Sequence, residues 1–301
     1  MCDLGSSAQK YADAIFSAED GGVAFVNSAE VFCTHVRTRI VSSHGIDVSF
    51  STLETSGEIV VGCREGEDVE LFDYFRYEGE QYSALTDRVG QRLREVRDRS
   101  NAHRLAEAGE YCVILEGECV REMLGYVLWR ANARNVHTGY STASVGGNVP
   151  GRLPDITASA TTPYSPEGIR MSDLPLVSDG RLTALVGNMR FCSYLGVSPT
   201  GEYEKLTAAS GNCTLAQLCR EKCLHLVSFS DFQFDPLDGY FGGEVRLGYL
   251  IEGDRITPVS GFSVSGNYRT LGDSFEFSTE RYTDHSYDGP RYMRITGVTA
   301  G

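Results

Sequence analysis

The segment from Phe234 to Asn267 constrains the fold of this chain more than any other, because it alternates like a β-strand while carrying seven glycines in 34 residues. Apolar and polar side chains alternate between Glu244 and Ile251, which is the period of a half-buried strand. Glu252-Gly253-Asp254 then supplies a turn, and the apolar alternation resumes beyond it. The segment therefore predicts a β-hairpin in which glycines mark bulges or the close approach of another backbone.

The composition is that of an ordinary soluble globular protein, with 301 residues of which 41% are hydrophobic and 23% are charged. The formal net charge of −14 disfavours nucleic acid and anionic membranes as partners, because phosphate binding needs clustered Lys and Arg. The arginines from Arg92 to Arg104 are interleaved with Glu95 and Asp98, a pattern typical of a solvated helix face. The sequence also lacks an apolar membrane span and a signal peptide. We therefore expect a cytoplasmic protein with no nucleic-acid or membrane partner.

The nine cysteines are an odd number without paired spacing, which is typical of reduced thiols buried in a cytosolic protein. In one place Cys213, Cys219 and Cys223 lie close together with His225 behind them, and zinc ligands can have this spacing. The leucines between Thr214 and Leu224 favour a helix there instead. We therefore predict no metal at this group of cysteines.

The first part of the chain has the pattern of an antiparallel meander with helices on either side. Short strand-like runs occur at about ten-residue spacing between Val23 and Tyr77, which is typical of a meander. They follow a helical segment at residues 6–18 and precede a long, charged helix from Ser83 to Ala108. We predict that residues 1–109 form the first domain.

The rest of the chain is rich in predicted strands and has one strong helix near its start. The strand predicted at residues 110–115 leads into a helix from Glu118 to Ala133, whose apolar residues recur at i, i+3 and i+4. A long loop rich in Gly, Ser, Thr and Pro follows from Thr138 to Ser165, and such loops often carry function. We therefore predict an α+β fold, an antiparallel-sheet meander with helices followed by a β-rich, barrel-like C-terminal domain at residues 110–301.

Several segments, in order along the chain, resemble the PmbA/TldD family, the modulators of DNA gyrase and their metallopeptidase homologues. The longest are Asp235-Pro236-Leu237-Asp238-Gly239-Tyr240-Phe241 and Gly261-Phe262-Ser263-Val264-Ser265-Gly266-Asn267. The pair Thr200-Gly201 and the closing segment from Ile295 to Gly301 are similar to two further segments of the family. Since family members usually carry another α/β region in front, we expect that this front domain is truncated here.

The resemblance implies a functional site on the helix predicted from Glu118. Catalytic members of the family carry an HExxxH helix, whose two histidines and a later cysteine hold zinc while the glutamate activates water. Here Arg121 and Tyr126 replace the two histidines, and Glu122 matches the glutamate. Arginine stays protonated and cannot ligate zinc, tyrosine is an unusual ligand, and no cysteine follows Cys223. The chain thus resembles the PmbA-like branch, for which we predict no metal, no cofactor and no catalytic residue.

These residues predict a non-catalytic peptidase homologue that binds peptide or a catalytic partner subunit in proteolysis or peptide maturation. The resemblance implies a homodimer, or a heterodimer with a TldD-type subunit. The glycine-rich strand could bind an extended peptide by strand addition. The peptide-binding residues that we predict on this strand are Gly242, Gly243, Glu244, Arg246 and Gly248.

Two alternatives remain open from the sequence. The first is an active zinc-dependent metallopeptidase with an atypical site, in which Glu118, Glu122 and His137 are possible ligands. A nucleophile pair of Cys119 or Cys192 with His137 is conceivable as well, although no spacing supports it. The second alternative is a structural homo-oligomer with no peptide role.

Overall fold

The computed structural model describes residues 3–67 and 69–301. It contains 23% helix and 45% strand, which confirms the predicted α+β class. The chain divides into two compact units, of which the first comprises Met1–Thr38, Phe50–Arg104 and Thr257–Ser260, and the second comprises Arg39–Ser49, Leu105–Ile256 and Gly261–Gly301. The domain boundary after residue 109 stays a prediction. No helix in the described part of the chain is long and apolar enough to cross a membrane.

The first unit is built from the meander and two helices. Its elements are α1 (Leu4–Phe16), β1 (Ala24–Val41), β2 (Asp47–Cys63), β3 (Glu70–Glu78), α2 (Tyr82–Ser100) and β4 (His103–Arg104). The end of β1 and the start of β2, within Arg39–Ser49, group with the second unit. The strands form a sheet in the order β1-β2-β3. They are longer than the predicted runs, because the residues between those runs also stay in extended backbone. Ile15, Ile59 and Leu85 illustrate the core, each at most 1% exposed.

An ion network that the charge pattern did not predict lies under α2. Arg88 and Arg92 both pair with Asp73 of β3, at 2.7 and 3.2 Å, and Arg92 also pairs with Glu95 at 2.6 Å. Asp73 and Glu95 are only 6% and 4% exposed. Burial would raise the pKa of Asp73, but the two guanidinium charges hold it well below its usual range. The solvated helix face predicted for these arginines is therefore wrong at Arg92, because a carboxylate on the sheet lies opposite.

The remaining elements belong to the second unit, except for Thr257–Ser260 of β12. These residues belong to the first unit, in which β12 pairs with β4. The elements are β5 (Gly109–Glu116), α3 (Glu118–Ala131), α4 (Ala133–His137), β6 (Ile156–Ser159), β7 (Leu174–Ser178), β8 (Arg181–Leu182), α5 (Met189–Leu195), β9 (Lys205–Ala208), α6 (Leu215–Leu218), β10 (Cys223–Phe234), β11 (Tyr240–Glu252), β12 (Arg255–Ser260), β13 (Phe262–Asn267), α7 (Tyr268–Leu271), a 3-10 turn (Gly272–Ser274), β14 (Glu276–Phe277), β15 (Arg281–Thr283), β16 (Tyr287–Pro290) and β17 (Tyr292–Ala300).

Five strands of the second unit close into a barrel, as predicted for the C-terminal region. Their order is β10-β5-β17-β13-β11, and the antiparallel pairing of β10 with β11 closes the ring. β5 and β10 run parallel, whereas the other neighbours run antiparallel. A second sheet has the order β15-β16-β9-β6-β7-β8.

The glycine-rich segment forms part of the barrel wall. β11 turns at Gly253, whose φ is 63°, into β12, which confirms the predicted hairpin. A Cβ on Gly242 would lie 2.6 Å from the carbonyl oxygen of Val264, and a Cβ on Gly243 would overlap the carbonyl oxygen of Asp231. The register of β10 against β11 also shifts between Leu226 and Asp231. The predicted close approach of another backbone is confirmed at Gly242 and Gly243. The bulges between β10 and β11 do not explain the glycines, because the residues skipped in the register are Val227, Ser230 and Arg246.

Candidate functional site

Helix α3 starts directly after barrel strand β5. Gly117 precedes it with a φ of 54°, a conformation that favours glycine over residues with a Cβ. One face of the helix is fully buried, as the apolar repeat predicted, and includes Met123, Leu124 and Val127. The opposite face is therefore the one available for function.

That opposite face lines an open cleft of about 300 Å³, which we call the α3 cleft. All three positions that the family resemblance points to, Arg121, Glu122 and Tyr126, lie along it. Aromatic side chains, amides and a further carboxylate complete the lining, including Trp129, Asn132, Asn135, Tyr203, Glu204 and Phe234. The structure thus brings the predicted helix residues together in one concave surface.

Arg121 and Glu122 neutralise each other at the cleft. Arg121 Nη1 donates to Glu122 Oε2 at 2.9 Å, and the two side chains are 35% and 44% exposed. A pair this exposed contributes at most about 1 kcal/mol to stability. Its main effect is electrostatic, since the carboxylate of Glu122, which the resemblance aligns with the family's glutamate, has a permanent cation beside it.

Tyr126 is fixed by two further arginines. Arg130 Nη1 and Arg269 Nε donate to the Tyr126 hydroxyl at 3.4 and 3.2 Å. The Tyr126 ring is 1% exposed and lies 4.9 Å from the ring of Tyr268 and 5.1 Å from that of Phe234, between centroids. The position that the resemblance aligns with the second histidine is thus held by a buried phenol between guanidinium groups.

The residues at these helix positions do not fit a zinc ion. A guanidinium cannot become a ligand at Arg121, and the charges of Arg130 and Arg269 beside Tyr126 would repel a divalent cation. Among residues 3–67 and 69–301, no three His, Cys, Asp or Glu side chains are placed to hold a metal ion. Arginine side chains rather than metal ligands therefore surround these helix positions.

His137 and Cys192, two of the alternative ligands and nucleophiles, are not among the residues that line the α3 cleft. The ring of His137 packs 4.8 Å from that of Tyr194 and 5.9 Å from that of Phe191, between centroids. Cys192 is fully buried, and burial raises the pKa of its thiol, which opposes a thiolate nucleophile. Nothing in these contacts favours the peptidase with an atypical site.

The predicted peptide-binding strand is paired along both edges. Residues Gly242 to Glu244 face Ser263 to Ser265 of β13 on one side and Asp231 to Gln233 of β10 on the other. Strand addition therefore has no free backbone there, because closure of the barrel uses it. Peptide contacts at Gly242, Gly243, Glu244, Arg246 and Gly248 stay a prediction, and the exposed side chains of Glu244 and Arg246, 4.0 Å apart, are the groups that would make them.

The helix predicted from Thr214 to Leu224 is too long. α6 spans Leu215–Leu218, and Cys223 and His225 already belong to β10. Residues 223–226 form a strand and not a helix because they pair in parallel with Cys112 to Leu115 of β5. This pairing completes the hydrogen bonding of the barrel.

A partly buried triad of Glu116, His225 and Arg291, which sequence reasoning missed, lies where β5 and β10 run side by side. His225 Nε2 is 2.9 Å from Glu116 Oε2, and Arg291 donates to Glu116 Oε1 from Nε and Nη2 at 2.8 and 2.6 Å. Burial would raise the pKa of Glu116, but His225 and Arg291 together lower it to about 2. The three residues are far apart in sequence, so no local pattern indicates them.

We expect Glu116→Gln to lower the free energy of unfolding by about 3 kcal/mol near pH 7, because it removes the charge between His225 and Arg291. The pKa of Glu116 is lower in the folded protein than its ordinary value of 4.5. The carboxylate therefore stabilises the folded state fully above pH 4.5, and this stabilisation is lost as the pH falls toward about 2. Urea unfolding at about pH 7 and about pH 3 measures this. The difference between wild type and variant should shrink at the lower pH, and a constant difference would contradict the triad.

Comparison with known proteins identifies the second unit. Residues 108–301 match the family described as the PmbA/TldA metallopeptidase C-terminal domain. The chain belongs to the PmbA/TldD family. No curated protein matches this family member.

Solved structures of PmbA/TldD-like proteins share the fold. A Thermotoga maritima protein named as a modulator of a DNA gyrase aligns with a TM-score of 0.80 and 15% identity, over 99% of this chain and 74% of its own. TldE from Thermococcus kodakarensis aligns with a TM-score of 0.82 and 15% identity, over 97% and 73%. A modulator of DNA gyrase from Bacteroides thetaiotaomicron aligns with a TM-score of 0.80 and 17% identity, over 99% and 71%. At these identities the likeness concerns the fold.

Proposed function

We propose that this PmbA/TldD family member is a non-catalytic peptidase homologue that binds peptide in the α3 cleft. The observation that carries the proposal is the set of arginines on and around the helix. Arg121 occupies one ligand position of the family, and Arg130 and Arg269 hold the Tyr126 hydroxyl at the other. Their charges oppose a zinc ion and therefore the activation of water that metal-dependent hydrolysis requires.

The lining of the α3 cleft supports peptide as the ligand. Trp129, Tyr203 and Phe234 provide aromatic surface for apolar side chains, while the Arg121–Glu122 pair provides both signs of charge. A volume of about 300 Å³ is at the lower end of ligand pockets, so it suits one or two side chains of a longer peptide.

The proposal has two further parts. A partner subunit is proposed from the family resemblance, and a cellular location is proposed from the free thiols. The resemblance implies a homodimer or a heterodimer with a TldD-type subunit, and we propose that the bound peptide is passed to such a catalytic partner. Eight cysteines of the described chain are free thiols, which supports a reducing, cytoplasmic location.

The protein purified without chelator should contain no stoichiometric zinc and should cleave no peptide on its own. Zinc is measured by atomic emission, and cleavage by mass spectrometry of a casein digest. Mixing the chain with an HExxxH-bearing relative from the same cell should increase cleavage above that of the relative alone. Stoichiometric zinc together with cleavage by the isolated chain would overturn the proposal, whereas an unchanged rate on mixing would remove only the catalytic partner from it.

A further inference from the structure

Three charged side chains of the described chain line the α3 cleft. Arg121 and Glu122 come from helix α3, and Glu204 comes from the segment that leads into β9. Arg121 Nη1 and Glu122 Oε2 lie 2.9 Å apart, so their charges offset each other. Glu204 is exposed and has no hydrogen bond or ion pair with any residue that the structure describes. The unbalanced charge of the lining is therefore the negative charge of Glu204.

The two arginines at Tyr126 do not belong to this lining. Arg130 and Arg269 donate to the Tyr126 hydroxyl, and Arg269 Nη2 also donates to the carbonyl oxygen of Leu237 at 2.6 Å. Neither arginine is among the residues that line the cleft. Their charges oppose a cation at the Tyr126 hydroxyl, so a positively charged ligand group binds at the carboxylate of Glu204 instead. The net charge of −14 of the whole chain adds a long-range attraction for such a ligand.

The aromatic lining of the cleft suits the rest of a basic side chain. The rings of Trp129 and Tyr126 are stacked with centroids 6.3 Å apart. Tyr203 directly precedes Glu204, and its hydroxyl donates to the carbonyl oxygen of Ser172 at 2.7 Å. The methylene stems of lysine and arginine pack on apolar surface, and their cationic groups bind over aromatic faces. A carboxylate and aromatic rings in one cleft therefore match a lysine or arginine side chain.

Two asparagines of the lining can bind the backbone of the same peptide. Asn132 Oδ1 accepts from the backbone N–H of Arg134 at 2.9 Å, which leaves its Nδ2 as a donor. Asn135 Nδ2 donates to the carbonyl oxygen of Trp129 at 2.8 Å, which leaves its Oδ1 as an acceptor. A peptide group carries one donor and one acceptor, so the two asparagines supply a partner for each. Recognition of the ligand's side chain is then the role of Glu204 and the aromatic rings.

We propose that the α3 cleft selects peptides that carry a lysine or arginine side chain, and that Glu204 determines this preference. The inference rests on the proposed peptide binding in the cleft and adds the class of side chain that is bound. The Glu204 carboxylate accepts hydrogen bonds from the ammonium or guanidinium group, while Trp129 and Tyr203 contact its stem. An acidic side chain in the same place would bring two carboxylates together, which costs free energy.

Short peptides that are capped at both ends and differ only in their central residue test this preference. Isothermal titration calorimetry measures their affinities for the wild type. The lysine peptide should bind about tenfold more tightly than the same peptide with Nε-acetyl-lysine, because acetylation removes both the ion pair and the cation–π contact. The glutamate peptide should bind more weakly than the acetyl-lysine peptide.

Glu204→Gln should reduce the preference for lysine over acetyl-lysine to about threefold or less, since only the cation–π contact remains. The melting temperature should not change, because the Glu204 side chain is exposed. Glu202→Gln is the matched control. Glu202 is another exposed carboxylate of the same segment and does not line the cleft, so this variant removes the same charge from the chain and should keep the preference of the wild type.

The ranking of the peptides by the wild type decides the inference even where a variant does not fold. Equal affinities for the lysine and acetyl-lysine peptides, an undiminished preference in Glu204→Gln, or an equal loss of preference in Glu202→Gln would each overturn it, while peptide binding in the α3 cleft would stand. If none of the peptides binds, the inference and the proposed peptide binding both fail.

Discussion

Gly125→Leu should weaken peptide binding by at least about tenfold, or about 1.4 kcal/mol, without destabilising the protein. Gly125 lies inside α3 and lines the cleft, and no described atom outside its immediate neighbourhood lies within 4 Å of a Cβ placed there. A leucine at this position projects into open space and occupies the volume that the peptide would use. Since leucine is favoured over glycine inside a helix by about 1 kcal/mol, the melting temperature should stay equal or rise.

The only tryptophan of the chain makes this measurement direct. Trp129 lines the cleft, so its fluorescence should change saturably when peptides from a tryptic digest of casein are added to the wild type. Gly125→Ala is the matched control, because it gives a similar gain in helix propensity but leaves most of the cleft empty. Equal affinities of wild type and Gly125→Leu would contradict binding in the α3 cleft.

Gly243→Ala should destabilise the barrel by more than about 4 kcal/mol, a magnitude reached by few single substitutions. A Cβ on Gly243 would overlap the carbonyl oxygen of Asp231 and lie 2.9 Å from Cδ1 of Phe229 and 3.1 Å from Cα of Phe232. Two of these three atoms belong to the backbone of β10, which cannot move away without losing its pairing. β11 cannot move either, because β13 holds its other edge.

Urea unfolding followed by circular dichroism measures the effect on the barrel. Gly109→Ala is the control, since Gly109 begins strand β5 of the same barrel and no described atom beyond its neighbours comes within 4 Å of a Cβ there. This variant should change the free energy of unfolding by less than about 1 kcal/mol. Similar decreases in the free energy of unfolding for Gly243→Ala and Gly109→Ala would contradict the close approach of β10 and β11.

The barrel wall could be predicted because its pattern is local. Side chains between Glu244 and Ile251 alternate with the period of a strand, and Gly253 marks the turn that follows. The C-terminal end of the helix predicted from Thr214 could not be predicted in the same way. Cys223 to Leu226 become a strand only by pairing with β5, and no residue near them in sequence carries that information.

Part of the candidate site could also be predicted from the sequence. The resemblance placed Arg121, Glu122 and Tyr126 on one helix, and the structure brings all three to one cleft. Arg269, however, reaches Tyr126 from α7, and Tyr203 reaches the cleft from beyond α5. Such partners are set by tertiary packing, so the arginine that reaches Tyr126 from α7 appears only in the fold.

The partners of buried charges were also beyond the sequence. Arg92 follows the pattern of a surface helix, yet Asp73 on β3 lies opposite and pairs with it. Glu116 likewise meets His225 of β10 and Arg291, the residue that precedes β17. In both cases a carboxylate loses its hydration and needs a cation, and only the fold shows which cation it obtains.

Binding without cleavage is tested most directly in a single sample of the isolated wild type, purified without chelator and equilibrated with the casein digest. Size-exclusion chromatography separates the bound peptides, and mass spectrometry reads both their identity and their length. We predict that the bound peptides are recovered intact and that Gly125→Leu retains few of them. Shortened peptides in the wild-type sample, formed together with stoichiometric zinc in the protein, would contradict a non-catalytic role.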